Sequence, residues 1–193
     1  MSEEKKYDKP AENLNRFQHF VYDYGRYHHN IVNILVHVVC VPIIIISLLR
    51  MTSHASKVYL DSDFNYGYLI PILATPLYIY VDFFVGIITS LEYFVIDFLL
   101  INFTFEERFF GLNDWQTWLL IHVIAWIAQF IGHGFFEKRK PALMDNFLLT
   151  LNAPIFVNLE TFYFLFNYRK EELKEVEKYV INDIKRYRGE KKE

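Results

Sequence analysis

The side chains in this sequence best suited to chemistry are its histidines. Seven occur: His19, His28, His29, His37, His54, His122 and His133. His28, His29 and His37 cluster with Asn30 and Asn33 where a long apolar run begins. His133 closes another apolar run, four residues before Glu137. Imidazoles with a carboxylate and open positions form the ligand set of non-haem Fe(II) oxygen chemistry. Zinc hydrolysis uses a similar set. The competing reading is a group of interfacial histidines that cap helices or hydrogen-bond lipid headgroups. One histidine alone favours that reading, whereas convergence from two segments favours a metal.

Spacing sharpens the picture. On a helix, residues four apart share a face, so His29, Asn33 and His37 predict one polar stripe on an apolar helix. His28 and His37 are nine apart, about half a turn out of phase at 3.6 residues per turn. They converge only if His28 precedes the helix. Asn30 is a good N-cap, because its side chain accepts a bond from an orphan N–H. That places His28 on the preceding loop, free to turn toward His37. His133 and Glu137 lie one helical turn apart. Gly132 and Gly134 flank the histidine and predict the close approach of a neighbouring helix. His19, His54 and His122 are read as structural or incidental, with His54 in a loop.

The elements that must position these groups are apolar. The chain has 193 residues, 53% of them hydrophobic and 19% aromatic. Charge is concentrated before Arg16 and after Arg169, leaving an apolar body between two charged ends. A bilayer span needs about 20 mostly apolar residues. Ile31 to Leu49, Phe64 to Val81, Phe83 to Phe105 (with Glu92 and Asp97) and Trp115 to Phe136 meet that need. Phe147 to Leu159 contains Pro154 and is too short to span alone. The expected fold is all-α, a polytopic membrane helical bundle. It has about four spans, a re-entrant or short fifth segment, and a C-terminal amphipathic helix. Leu173, Val176, Val180, Ile184 and Tyr187 mark the apolar face of that last helix. It packs on the body or lies in the membrane interface.

A single domain over 1–193 follows from the length, with a charged segment at 1–27, a membrane body at 31–166 and a tail helix at 167–193. Lys and Arg are rich before the first span, at Lys138–Lys140 and in the tail, and poor in the two intervening loops. The positive-inside rule therefore places both termini in the cytosol. Lys138, Arg139 and Lys140 are read as serving that rule, with attraction of a carboxylate as the alternative. Cys40 is the lone cysteine, which excludes an internal disulfide. A net charge of −3 gives no support for a nucleic-acid partner.

At the two histidine clusters the chain resembles the 2-hydroxy fatty acid dioxygenases, fungal-type membrane enzymes of fatty-acid alpha-oxidation in phytosphingosine breakdown. The matching residues are Tyr27-His28-His29-Asn30, Asn33, His37 and Pro42. A second, longer match runs from Gln129 through His133 and Glu137 to Pro141-Ala-Leu143, then Asp145-Asn146. A weaker third is Ala153-Pro154 with Phe156 and Glu160. Ile31 departs from the family, many of whose members carry proline there, as does the region near Cys40, where they carry glycine.

The resemblance implies an Fe2+-dependent enzyme of the endoplasmic reticulum membrane. Its substrates would be O2 and a long-chain 2-hydroxy fatty acid, taken from membrane lipid. Its products would be the acid one carbon shorter and CO2. The family's histidines map onto His28, His37 and His133. Glu137 stands as a ligand, as a partner orienting an imidazole, or as a helix-end charge; His29 and Asn33 are possible additional or supporting groups. Two other functions compete: a di-metal hydroxylase or desaturase, which uses many more histidines in repeated boxes, and a non-enzymatic lipid carrier or scaffold.

Overall fold

In a computed structural model, residues 13–103, 111–141 and 150–189 are described. All regular elements among them are helices. They are α1 (Arg16–Gly25), α2 (Ile31–Val58), α3 (Leu69–Val81), α4 (Phe83–Phe103), α5 (Asp114–Ile131), α6 (Ala153–Phe166) and α7 (Lys170–Tyr187). A 3-10 turn, Tyr66–Tyr68, leads into α3, and a π-helical turn, Gly132–Glu137, extends α5. Asparagines start several of these elements. Asn15 and Gln18 form a reciprocal capping box at α1, and Asn113 and Gln116 form another at α5. Asn30 caps α2 by accepting from the Val32 N–H, as its position predicts.

Side-chain bonds fix the directions of the helices. The start of α2 meets the end of α5, where Glu137 accepts from the His29 and Asn30 N–H groups. Further along α2, Arg50 pairs with Asp114 at the start of α5. The two helices are therefore antiparallel. Helix α4 runs parallel to α2: Asp82, just before it, belongs to the histidine end, whereas Leu100 near its close accepts from Arg50. Helix α3 makes the return between them. The result is an up-and-down bundle with a histidine end and a far end.

Three helical segments are long and apolar enough to cross a membrane: Ile31–Val58, Phe83–Leu100 and Asp114–Glu137. The fourth expected span falls short. Helix α3 has 13 residues, about 20 Å at 1.5 Å per residue, against a hydrocarbon core of about 30 Å. Its first residues are spent on the Asn65-capped 3-10 turn. Conversely, α2 continues nine residues past the expected end at Leu49. The charge of Arg50 does not stop it, because Asp114 and the Leu100 carbonyl satisfy the guanidinium internally. His54 consequently lies in a helix rather than a loop, 3.3 Å from Asp114.

Helix α6 has 14 residues and does not span alone. Pro154 sits in its first turn, where a missing N–H is harmless. Asn158 bonds Thr89 and Glu92 mid-way along α4, while Phe162 packs on Phe84 at its start. Thus α6 rises toward the histidine end. There Tyr168 and Arg169 hold the buried Asp82, which also caps α4 through the Val85 N–H. The expected start of this segment at Phe147 lies outside the described residues, as do Thr104, Phe105, Lys191 and Lys192. The tail helix α7 packs on the body. Val176, Val180 and Ile184 are buried, and Val180 lies against Gly25 of α1. Tyr187, predicted on the same face, is half exposed.

Candidate metal centre

Three histidines meet at the mouth of the bundle. His28, His37 and His133 are all buried, and each offers a nitrogen within 4.8 Å of the other two. They are the one such group of three or more His, Cys, Asp or Glu side chains among the described residues. His28 lies on the loop between α1 and α2, His37 on the second turn of α2, and His133 on the π-helical turn.

The local backbone sets the ring orientation. His28 Nδ1 lies 3.0 Å from the Tyr24 carbonyl, and His37 Nδ1 lies 2.9 Å from the Asn33 carbonyl. A carbonyl only accepts, so both Nδ1 atoms carry the hydrogen. Both Nε2 atoms are then bare lone pairs, and they face each other at 3.0 Å. Two bare lone pairs at that distance repel unless a cation lies between them. Metal–imidazole bonds are about 2.1 Å long, short enough for one ion to be shared by two nitrogens this close. His133 adds a buried Nδ1 with no hydrogen-bond partner among the described residues. Burial, then the neighbouring His37 and His133 rings, hold the pKa of His28 well below the ordinary histidine range. The neutral ring is the metal-binding form. Donor set, protonation and orphaned nitrogen all fit a metal ion, so the three histidines could hold one.

Glu137 takes a different place from these three. Its Oε1 accepts from the His29 N–H at 2.7 Å, the Asn30 N–H at 2.8 Å and Asn33 Nδ2 at 3.2 Å. Carboxylates are favoured at helix N-termini, where unsatisfied N–H groups and the helix dipole meet them. One side chain of α5 thereby fixes the loop that carries His28 and the helix that carries His37. The predicted polar stripe is broken at His29, whose side chain is exposed while its backbone N–H serves Glu137. It precedes the Asn30 cap and so is not on the helix. Asn33 is fully buried but bonds Glu137 and the Tyr27 carbonyl.

The two glycines also differ. A Cβ at Gly132 would lie 2.5 Å from Asn33 Oδ1, so this residue is what lets α2 and α5 close on each other. A Cβ at Gly134 would meet nothing within 4 Å among the described residues, and the close approach predicted there does not occur between them. The π-helical turn, a feature frequent at functional sites, buries His133 and Glu137 together while Gly134, Phe135 and Phe136 face outward.

A cavity of about 640 Å³ opens from the histidines into the bundle. Its walls come from α2, α3, α5 and the start of α6, and they are almost wholly apolar. It reaches Leu48, eleven residues along α2 from His37, a rise of about 16 Å. Leu73 and Phe130, both exposed, stand on its rim. Of the weak third motif, Ala153 and Pro154 line the cavity and Phe156 stacks on Tyr24 at 3.8 Å.

Sequence reasoning passed over three contributors. Tyr24 stacks on the His28 ring at 3.9 Å and provides its carbonyl anchor. Gln129 is buried in the cavity wall. Each stands four residues before a site histidine, and that spacing was the available signal. Arg139 is the third. It is partly buried, bonds the Arg26 carbonyl and Asp183 at 3.0 Å, and lies over the Tyr27 and Tyr187 rings. It ties the tail helix to the histidine loop, beyond the charge-placement role its sequence position suggests.

The fold and site define a helical protein, apolar enough for a membrane, with a triple-histidine centre at one end of an apolar cavity. A family model described as 2-hydroxy-palmitic acid dioxygenase Mpo1-like matches residues 14–165. The chain therefore belongs to this family of dioxygenases. It is 35% identical over 140 residues to the 2-hydroxy-palmitic acid dioxygenase MPO1 of Saccharomyces cerevisiae, covering 71% of this chain and 74% of that protein. No solved structure matches the chain.

Proposed function

We propose that this protein is an Fe(II)-dependent dioxygenase that shortens a long-chain 2-hydroxy fatty acid by one carbon. The observation that carries the reading is the pair of bare Nε2 atoms of His28 and His37 facing each other beside His133 at the head of an apolar cavity. The relative's name, 2-hydroxy-palmitic acid dioxygenase, supports the substrate class. The reaction balances without an external reductant: the 2-hydroxy acid and O2 give the shortened acid, CO2 and water.

In this reading His28, His37 and His133 hold the iron, which when bound supplies the activation of O2. The cavity takes the alkyl chain, so the carboxylate and 2-hydroxyl stop beside the histidines. Its apolar walls exclude water from the reacting carbon. Glu137 acts by positioning: it accepts from the backbone on either side of the His28–α2 junction and so holds two of the three imidazoles in register. Asn33 reinforces Glu137, and His29 contributes through its backbone.

We further propose that residues 1–193 form one membrane-embedded domain in the endoplasmic reticulum membrane. Both termini would face the cytosol with the histidine end. The packing of α1 on α7 and the clustering of Lys and Arg at that end support this orientation.

The test uses the purified full chain in detergent or nanodiscs. With Fe(II), 2-hydroxyhexadecanoate should yield pentadecanoate and CO2 with one O2 consumed per product. A chelator should stop the reaction and added Fe(II) restore it. Iron near two per chain, or turnover that survives chelation, would overturn the assignment.

A further inference from the structure

Gln129 stands in the cavity wall one helical turn before His133, on the same face of α5. The residue is 5% exposed, and its Oε1 is fully buried without a hydrogen-bond partner among the described residues. A buried acceptor left unpaired is expensive, and an apolar cavity wall offers nothing to pair it. A second polar side chain of this wall, His122, is saturated by protein: it accepts from Trp126 Nε1 at 3.0 Å and donates to Ser47 Oγ at 2.9 Å. Gln129 is thus the buried wall residue with an acceptor kept open.

The chemistry of the substrate says what completes it. This step rests on the reading given above, a 2-hydroxy acid whose head lies beside the histidines. A carboxylate is acceptor-only, O2 carries no hydrogen, and an alkyl chain has no donor. The 2-hydroxyl is the one hydrogen-bond donor that such a molecule brings. We propose that Gln129 Oε1 accepts the hydrogen of the substrate's 2-hydroxyl, so that this residue makes the cavity select 2-hydroxy acids over plain fatty acids. A site built to bond a hydroxyl rejects the analogue lacking it, because the buried partner is left unpaired. An unsubstituted fatty acid of the same length carries an alkyl chain that fits the same cavity. Without such a device it would compete directly for the site.

The probe is Gln129→Met, which keeps the length and apolar fit of the side chain and deletes the acceptor. Binding is read anaerobically in the iron-loaded full chain, by displacement of a fluorescent fatty acid, so that no turnover occurs. Two competitors are used, 2-hydroxyhexadecanoate and hexadecanoate. Wild-type protein should prefer the hydroxy acid. The variant should lose about tenfold or more of that preference through weaker binding of the hydroxy acid alone, with bound iron and melting temperature unchanged. Equal weakening of both ligands, or retained preference, would overturn the proposal. Loss of iron would also overturn it, showing that Gln129 positions His133 instead. Wild-type turnover of 2-hydroxyhexadecanoate is measured in parallel. Its absence would remove the enzymatic reading itself, whereas turnover with an unchanged preference in the variant would remove only the role of Gln129.

Discussion

Two groups of histidines border the same cavity and are built on opposite plans. His122 has both nitrogens engaged. Trp126 Nε1 can only donate, so His122 Nε2 accepts from it, and Nδ1 therefore carries the hydrogen given to Ser47. Ser47 in turn donates to the Ile44 carbonyl. Every lone pair and hydrogen of that ring has a protein partner. At the other end, His28 and His37 each anchor one nitrogen to a carbonyl four residues back and aim the other at a shared point. The first plan satisfies a polar group inside an apolar wall, and the second leaves ligand capacity that protein atoms do not use. Residue type and cavity are the same in both. The difference lies in whether the second nitrogen is answered, and that separates a histidine saturated by protein from one open to a metal.

The sharpest way to break this comparison is to remove a ring from the open group. His37→Ala and His133→Ala should each reduce bound iron to a small fraction of wild type and bring turnover to background, while the protein still inserts and folds. Iron per chain by elemental analysis and pentadecanoate by mass spectrometry check this. If either variant retained full iron and activity, the three-histidine site would be wrong.

The next effect comes from the residue that holds the open plan in place. Glu137→Ala leaves two backbone N–H groups and Asn33 Nδ2 without their acceptor. Each unsatisfied buried donor costs about 1–3 kcal/mol, less where water reaches the exposed rim at His29. Loss of a ligand's supporting partner typically lowers metal affinity about 10–100-fold. Glu137→Ala should therefore weaken iron binding within that range and lower the melting temperature, and Glu137→Gln should recover part of both. An iron titration of the three proteins tests it. A Glu137→Ala variant with wild-type iron affinity would show that the histidine loop is held by something else.

Much of this end of the molecule was legible in the residues. The cap at Asn30 and the nine-residue spacing sufficed to place His28 on a loop facing His37. What spacing could not show was where Glu137 goes. A carboxylate one turn from a histidine suits a ligand and a partner orienting an imidazole equally, and the three donors that meet Glu137 come from the start of α2 and its approach, more than 100 residues away. The lengths of α2 and α3 escape local pattern for a related reason. Arg50 looks like a span end because its partner, Asp114, is 64 residues away. The late start of α3 depends on a turn built by Asn65, whose Nδ2 is in turn held by Asp97 of another helix. Local pattern carries caps and faces, and long-range pairing sets where helices stop.

The glycines on either side of His133 sharpen the comparison at smaller magnitude. Gly132→Ala drives a methyl group against Asn33 Oδ1 in a fully buried contact, and overpacking of this kind costs about 1–3 kcal/mol. Because Asn33 supports Glu137, iron affinity should fall several-fold along with stability. Gly134→Ala meets open space and should leave both nearly unchanged. A thermal melt and an iron titration on the pair separate contact from helix propensity, since propensity alone favours alanine at both positions by about 1 kcal/mol. Equal behaviour of the two variants would contradict the close approach at Gly132.

The smallest effect on the metal should come from the saturated histidine. His122→Leu removes a ring whose partner Ser47 still donates to the Ile44 carbonyl, whereas the half-buried Trp126 loses the acceptor of its N–H. Net loss of an ordinary hydrogen bond is about 1 kcal/mol, so a modest drop in melting temperature is expected. Bound iron should stay at the wild-type level. Turnover of 2-hydroxyhexadecanoate should change less than in any variant at the histidine end. If iron fell as far as in His37→Ala, saturation by protein partners would not be what distinguishes the two groups. The centre would then have to include the cavity wall. If iron held while turnover shifted toward other chain lengths, His122 would belong to the surface that measures the alkyl chain, a role that needs no free nitrogen and leaves the contrast with the triad intact.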